Sequence, residues 1–257
     1  AEPVAATNNL NFGNPERPEI MAQLVEAIEG MADACTFFET PITGGNVSLY
    51  NETLGEGIFP SPVMGIVGVM KTEMPVGIAF REAGRDVYLI GGIGDADPIR
   101  MGGTQYAKQV VKDMWGLPPA LDLVFEKQVQ LAVREMVTSR TVESAHDVSD
   151  GGLAWAVAES AFGNLVGARI ELDSALAAEL LLYHEGPSRV VVSTADGQAV
   201  EEIAAKHGVP ALKIGVTGAG QLKISNKGIT LIDTPLAPLQ EAWATALESK
   251  LEAEVHA

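Results

Sequence analysis

The chain has 257 residues, 47% hydrophobic and 20% charged: long enough for one large domain or two unequal ones, and too apolar to be generally disordered. Acidic residues number 34 against 17 Lys and Arg, and the net charge of −17 argues against sequence-independent attraction to nucleic acid or anionic membranes. A phosphate-bearing ligand must then be held locally, by backbone N–H groups, helix N-termini or a divalent cation shared with carboxylates.

The start, Ala1-Glu2-Pro3-Val4, lacks the basic and apolar regions of a signal peptide. The absence of Met at the first position is compatible with processing, recombinant expression or excision from a longer polypeptide. Thr7 to Glu16, rich in Asn, Gly and Pro, predicts an ordered loop. From Pro18 to about residue 36 the apolar positions Ile20, Leu24, Ile28, Met31 and Cys35 predict a helix. Cys35 is the single cysteine, so no intramolecular disulfide forms and the Cys/His spacings of a zinc site are missing. A reducing cytoplasm fits best. Gly44-Gly45-Asn46 predicts a turn, and Ile58 to Val69, β-branched and punctuated by glycine, predicts a buried strand.

A change of pattern near residue 74 marks a domain boundary. Beyond it Asp86 to Ile90 predicts a central strand running into the Gly91-Gly92 loop. Helices are expected near 103–115, 122–139, 151–163, 174–183 and 197–207. Strands are expected near 141–146, 168–172, 188–193 and 210–232. Leu239, Trp243 and Leu247 predict one amphipathic C-terminal helix over 236–254. The alternation indicates an α/β or α+β layered domain. No apolar run reaches the roughly 18–20 residues that span a bilayer.

Three polar, glycine-rich clusters can carry chemistry. Asn8, Asn9, Asn11 and Asn14 with Gly44 to Ser48 offer amides and a hydroxyl beside paired glycines, suited to a phosphate, a ribose or a metal; the same asparagines can simply hold turns. In His146-Asp147-Val148-Ser149-Asp150-Gly151-Gly152, Asp147 and Asp150 can share Mg²⁺ while the Gly-Gly helix start offers N–H groups to a phosphate. Alternatively Ser149 or Asp150 is only the helix cap. The third cluster pairs Gly91 to Gly94 and Met101 to Tyr106 with His184 to Arg189. There Arg189 can contact an anion or pair with Glu185 across a turn. Asp95-Ala96-Asp97 after Gly94 breaks a dinucleotide fingerprint, and no Walker loop, nucleophile elbow or HExxH helix is present.

Asn8 to Glu16, Gly45 to Glu52, His146 to Leu153 and Glu185 to Arg189 occur in the order seen in phosphoribosylformylglycinamidine synthase. The chain resembles the C-terminal part of that family's synthetase subunit from Ala1 almost to its end. The first two motifs are specific to that family; the other two are shared with relatives such as aminoimidazole ribonucleotide synthetase. The resemblance implies an α/β fold with mixed α+β layers. A partial N-terminal-type sheet domain is expected over residues 1–74, and a complete C-terminal-type domain over 75–257, both second copies within a two-half synthetase.

The implied reaction converts formylglycinamide ribonucleotide, ATP and ammonia to the amidine, ADP and phosphate, with ammonia from a glutaminase partner and Mg²⁺ on the nucleotide. Carried over by motif, Asn8 and Gly45 match ATP contacts, Asn46 a Mg²⁺ ligand and Ser48 a contact to the ribonucleotide. Asn8 stands where the family usually has Asp, an amide in place of a carboxylate. Asp147, Asp150, Gly151, Gly152, Glu185, Ser188 and Arg189 resemble an auxiliary nucleotide site held to be structural. The family's catalytic His and ATP-binding Lys belong to the other half and match nothing here, so the chain is expected to supply part of an active site and no catalytic residue. Apolar faces left by that missing half favour self-association. Alternatives are another synthetase of the superfamily, for aminoimidazole ribonucleotide or selenophosphate, and a nucleotide-holding module without turnover.

Overall fold

The computed structural model describes residues 1–71, 75–94 and 97–255, side chains of 252–255 excepted; the pattern change near residue 74 and the Asp95-Ala96 pair fall partly or wholly outside them. The chain divides into two compact units, Ala1–Glu73 and Met74–Ala257.

The first half of the Asn-rich opening, Thr7 to Asn11, belongs to a strand, β1 (Glu2–Asn11), and not to the expected loop, whereas residues 12–16 are loop and turn as expected. Asparagine's preference for turns is a local effect. Here it is overridden by pairing on both sides, parallel to β2 (Ile42–Ser48) and antiparallel to β5 (Ser61–Val69). β2 likewise absorbs Gly44-Gly45-Asn46, which form strand instead of a turn. Between them runs α1 (Pro18–Phe37), with Pro18 at its start and Glu19 in its first turn, where a fixed φ and a negative charge both suit a helix N-terminus. Its core face carries Ile20, Leu24, Ala27 and Met31 against Leu10, Phe12 and Leu49. Ile28 is 47% exposed. Each step of four residues advances 40° around a 3.6-residue helix, so position 27 replaces 28 on the packed face. A short hairpin of β3 (Glu52–Thr53) and β4 (Glu56–Gly57) precedes β5. β5 is a strand as expected but not a buried one: Val63, Ile66, Val67 and Val69 are all more than half exposed.

The second unit is built on a seven-stranded sheet. Its elements are β6 (Asp86–Ile90), α2 (Leu123–Thr138), β7 (Ser144–Asp147), α3 (Gly152–Phe162), β8 (Val166–Leu172), α4 (Ala178–Tyr183), β9 (Val190–Thr194), α5 (Gly197–Lys206), β10 (Ala211–Ala219), β11 (Gln221–Asn226), β12 (Ile229–Pro235), α6 (Leu236–Ala244) and α7 (Ala246–Val255). The strand order is β12-β11-β8-β10-β6-β9-β7, antiparallel throughout except for the β8–β11 pair. β6 shows why the sheet is central. Val87 and Leu89 enter a core with α3, α4 and Leu236, while Tyr88 and Ile90 enter a second core with α2 and α5.

Two expected helices differ. The segment near 103–115 holds only a π-helical turn, Ala107–Val111, ended by Lys112 in the left-handed region at φ 64°. The C-terminal helix breaks at Thr245, whose hydroxyl donates to the Glu241 carbonyl at 2.8 Å, a local bond that competes with regular helix geometry. No helix among the described residues is long and apolar enough to cross a membrane.

Candidate functional site

In the first unit the parallel register places Asn8 beside Gly45, Asn9 beside Asn46 and Asn11 beside Ser48. Gly45 packs directly against Asn8: a Cβ there would lie 2.0 Å from the Asn8 Oδ1, so the Asn8 side chain would have to move. Asn46 Nδ2 donates to Asn9 Oδ1 at 3.1 Å, which leaves the Asn46 carbonyl oxygen as the hard donor of that pair. Ser48 Oγ donates to Asn51 Oδ1 at 3.2 Å, and Asn51 Nδ2 donates to the Ser48 and Phe12 carbonyls at 3.0 and 3.1 Å. Strand alternation puts Asn8 and Gly45 on the face of Leu10, and Asn46 and Ser48 on the opposite face with Asn9 and Asn11. The four residues therefore form two pairs on two sheet faces. Asn51, to which no separate role attaches in the sequence, is what fixes Ser48.

An oxygen such as the Asn46 carbonyl suits Mg²⁺ as one ligand, since Mg²⁺ commonly takes one or two protein ligands alongside nucleotide phosphates. Among the described residues no group of three or more His, Cys, Asp or Glu is placed to hold a metal.

In the second unit the two remaining clusters merge into one knot. Glu185 Oε1 accepts from the backbone N–H of Gly151 at 2.7 Å and of Gln105 at 2.8 Å. Gln105 Nε2 reaches Asp150 Oδ2 at 3.5 Å. Arg189 is 2% exposed and donates to the carbonyls of His184 at 2.5 Å, Gly186 at 3.1 Å and Ile93 at 3.2 Å. Loss of solvent lowers its pKa to about 10. Ser188 Oγ donates to the Glu126 carboxylate at 2.5 Å.

These contacts correct three expectations. Neither Ser149 nor Asp150 caps α3: the cap position is Gly151, at φ 76°, and Ser149 donates to Asp147. Arg189 serves backbone carbonyls and not Glu185. Of the Gly-Gly amides expected to face a phosphate, Gly151 is held by Glu185 and Gly152 donates to the Ser149 carbonyl at 2.9 Å.

Asp147 and Asp150 remain exposed and line a cleft of about 370 Å³ with His146, Ser149, Trp155, Ala156 and Glu159. His146 bridges Glu159 at 3.2 Å and the Asp147 carbonyl at 2.7 Å. Trp155 and Glu159 escape a reading by motif; their signal is the helical spacing that returns both to the cleft side of α3.

The AIR synthase related protein C-terminal domain model matches residues 82–225, and the N-terminal domain model of the same family matches residues 1–70. Phosphoribosylformylglycinamidine synthase subunit PurL of Thermomicrobium roseum is 44% identical over 254 residues, covering 96% of this chain and 33% of that protein. The subunit from Caldanaerobacter subterraneus is 38% identical over 254 residues, covering 98% and 34%. The chain thus spans about a third of the length of these curated relatives. Thermotoga maritima PurL complexed with FGAR superposes with a TM-score of 0.73 at 22% identity, over 93% of this chain and 40% of that one, a likeness of fold. With both domain models matched in sequence order, the chain belongs to the AIR synthase related protein family.

Proposed function

We propose that the chain is part of a phosphoribosylformylglycinamidine synthase, a C–N ligase that converts formylglycinamide ribonucleotide and glutamine-derived ammonia to the amidine at the expense of ATP. The observation that carries this reading is 44% identity to a curated synthase subunit over 96% of the chain. In this reading the first unit is an N-terminal-type domain and the second a C-terminal-type domain, each the second copy in the subunit. The remainder of the synthetase supplies the catalytic groups, a glutaminase supplies ammonia, and the reaction runs in the cytoplasm.

Within it Asn8 and Gly45 meet ATP, Asn46 supplies one oxygen to Mg²⁺ and Ser48, oriented by Asn51, meets the ribonucleotide. Bound Mg²⁺ would neutralise triphosphate charge that a protein of net charge −17 cannot offset with its own cations. Asp147 and Asp150, at the rim of the Trp155 cleft, are the residues of the auxiliary cluster still open to a nucleotide and its cation.

The test is ADP release with formylglycinamide ribonucleotide, Mg-ATP and an ammonium salt, for the chain alone and for the chain supplied with the rest of the synthetase. Release only in the mixture is expected, with Asn46→Ala raising the Mg²⁺ requirement and Ser48→Ala raising KM for the ribonucleotide. Release by the chain alone overturns the shared-site reading. Folded components inactive in every combination, with nucleotide bound but not turned over, favour the nucleotide-holding module.

A further inference from the structure

We propose that Glu185 is a built-in anion: its carboxylate fills the place at the start of α3 that a phosphate or other oxyanion would otherwise take, and thereby positions the segment around Gln105 against that helix. Two backbone N–H groups from distant segments, Gly151 and Gln105, converge on the single oxygen Oε1 at 2.7 and 2.8 Å. Convergent amides at a helix N-terminus are the arrangement by which proteins hold oxyanions. Among the described residues no other group does this work: the Gly151 cap has no side-chain hydrogen bond of its own and Ser149 is spent on Asp147.

The amide cradle admits only glycine at its centre. A Cβ on Gly151 would lie 2.7 Å from the Trp155 Cβ, and its φ of 76° disfavours any other residue. The segment bearing Glu185 is itself anchored: His184 Nδ1 accepts from the Gly186 N–H at 3.1 Å, and Arg189 clamps the His184 and Gly186 carbonyls. Among the described residues Arg189 donates only to carbonyls, so it leaves the Glu185 charge to the amides. The consequence for ligands is selective. A phosphoryl group entering the cleft beside Asp147 and Asp150 finds these two amides occupied and is held through a cation or not at all. The inference rests on the second unit alone and stands whether or not the synthetase reading does.

The experiment is anion rescue. Glu185→Ala should lower the melting temperature by about 4–8 °C, the scale set by losing charge-assisted hydrogen bonds in a domain of this size. Acetate or inorganic phosphate in the tens of millimolar should then restore part of the loss saturably, while the wild type and Glu185→Gln, whose side chains still fill the position, show no such response. A Glu185→Ala protein that gains no more from either anion than the wild type does overturns the proposal. A measurement on the wild type covers the case of a variant that fails to fold. The Gly151 and Gln105 amide resonances should stay fixed on titration with phosphate and exchange slowly with solvent. A saturable shift of both amides in the wild type would show an open anion site and contradict the assignment.

Discussion

Two strands of similar apolar content meet opposite fates. β6 alternates between two cores because α2 and α5 cover one face of its sheet and α3 and α4 the other. β5 carries Val63, Ile66, Val67 and Val69 in a three-stranded sheet whose unit has a single long helix, and all four stay more than half exposed. Apolar pattern reports what must be buried in the finished assembly, not which polypeptide brings the cover. The second unit supplies its own layers; the first has strand chemistry suited to burial on both faces and shields neither face of β5.

The largest effect expected lies in the self-sufficient unit. Phe162 is 3% exposed and packs against the rings of Trp155 and Trp243, so Phe162→Ala should cost about 3–5 kcal/mol in urea unfolding. A loss below ~1 kcal/mol would break the claim that this core stands by itself. In the first unit Gly45→Ala places a methyl against Asn8 and should cost about 1–3 kcal/mol, with nucleotide binding by the completed synthetase weakened because Asn8 must swing away. Unchanged binding would detach Asn8 from ATP.

A smaller, pH-dependent effect is expected where α2 meets α5. Hydrogen bonds from Lys206 and His207, both at 2.7 Å, hold the Glu135 carboxyl below its ordinary value of 4.5. A lowered carboxylate pKa contributes stability that is fully present above pH 4.5 and fades as pH falls through the folded-state value. Glu135→Gln should therefore be less stable than wild type at pH 7, with the gap closing in acid. A gap that persists undiminished at low pH would contradict the assignment.

The smallest folding effect sharpens the comparison most. Val67→Ser should change the stability of the chain by no more than about 0.5 kcal/mol, as for other exposed sites. The same change should weaken self-association of the chain in sedimentation and its capture by the rest of the synthetase. If it instead unfolds the first unit, β5 is part of an internal core and the contrast with β6 fails.

Most of the second unit was legible in the sequence, the helices expected near 103–115 and 236–254 excepted, because its elements find their partners within the unit. The apolar spacing of α3 and α5 and the β-branched runs of β6 and β9 find their covers within 184 residues. The first half of the Asn-rich opening was misleading because turn preference is local, whereas β1 is fixed by strands about 40 and 60 residues away. At the candidate sites the motifs Asn8 to Glu16 and Gly45 to Glu52 were visible, but the sheet faces they occupy follow only from strand register. Asp147 and Asp150 stood out in one motif and Glu185 and Arg189 in another. That Glu185 and not a neighbouring Ser or Asp meets the α3 N-terminus is a long-range contact with no local signature.

The most direct test of the central claim, that this chain completes a synthetase site it does not contain whole, is transfer of ¹⁵N from ammonium into formylglycinamidine ribonucleotide. The account predicts labelled product from the chain combined with the rest of the synthetase, formylglycinamide ribonucleotide and Mg-ATP, and none from either component separately. Labelled product from the chain alone, or none from the complete and folded mixture, would contradict it.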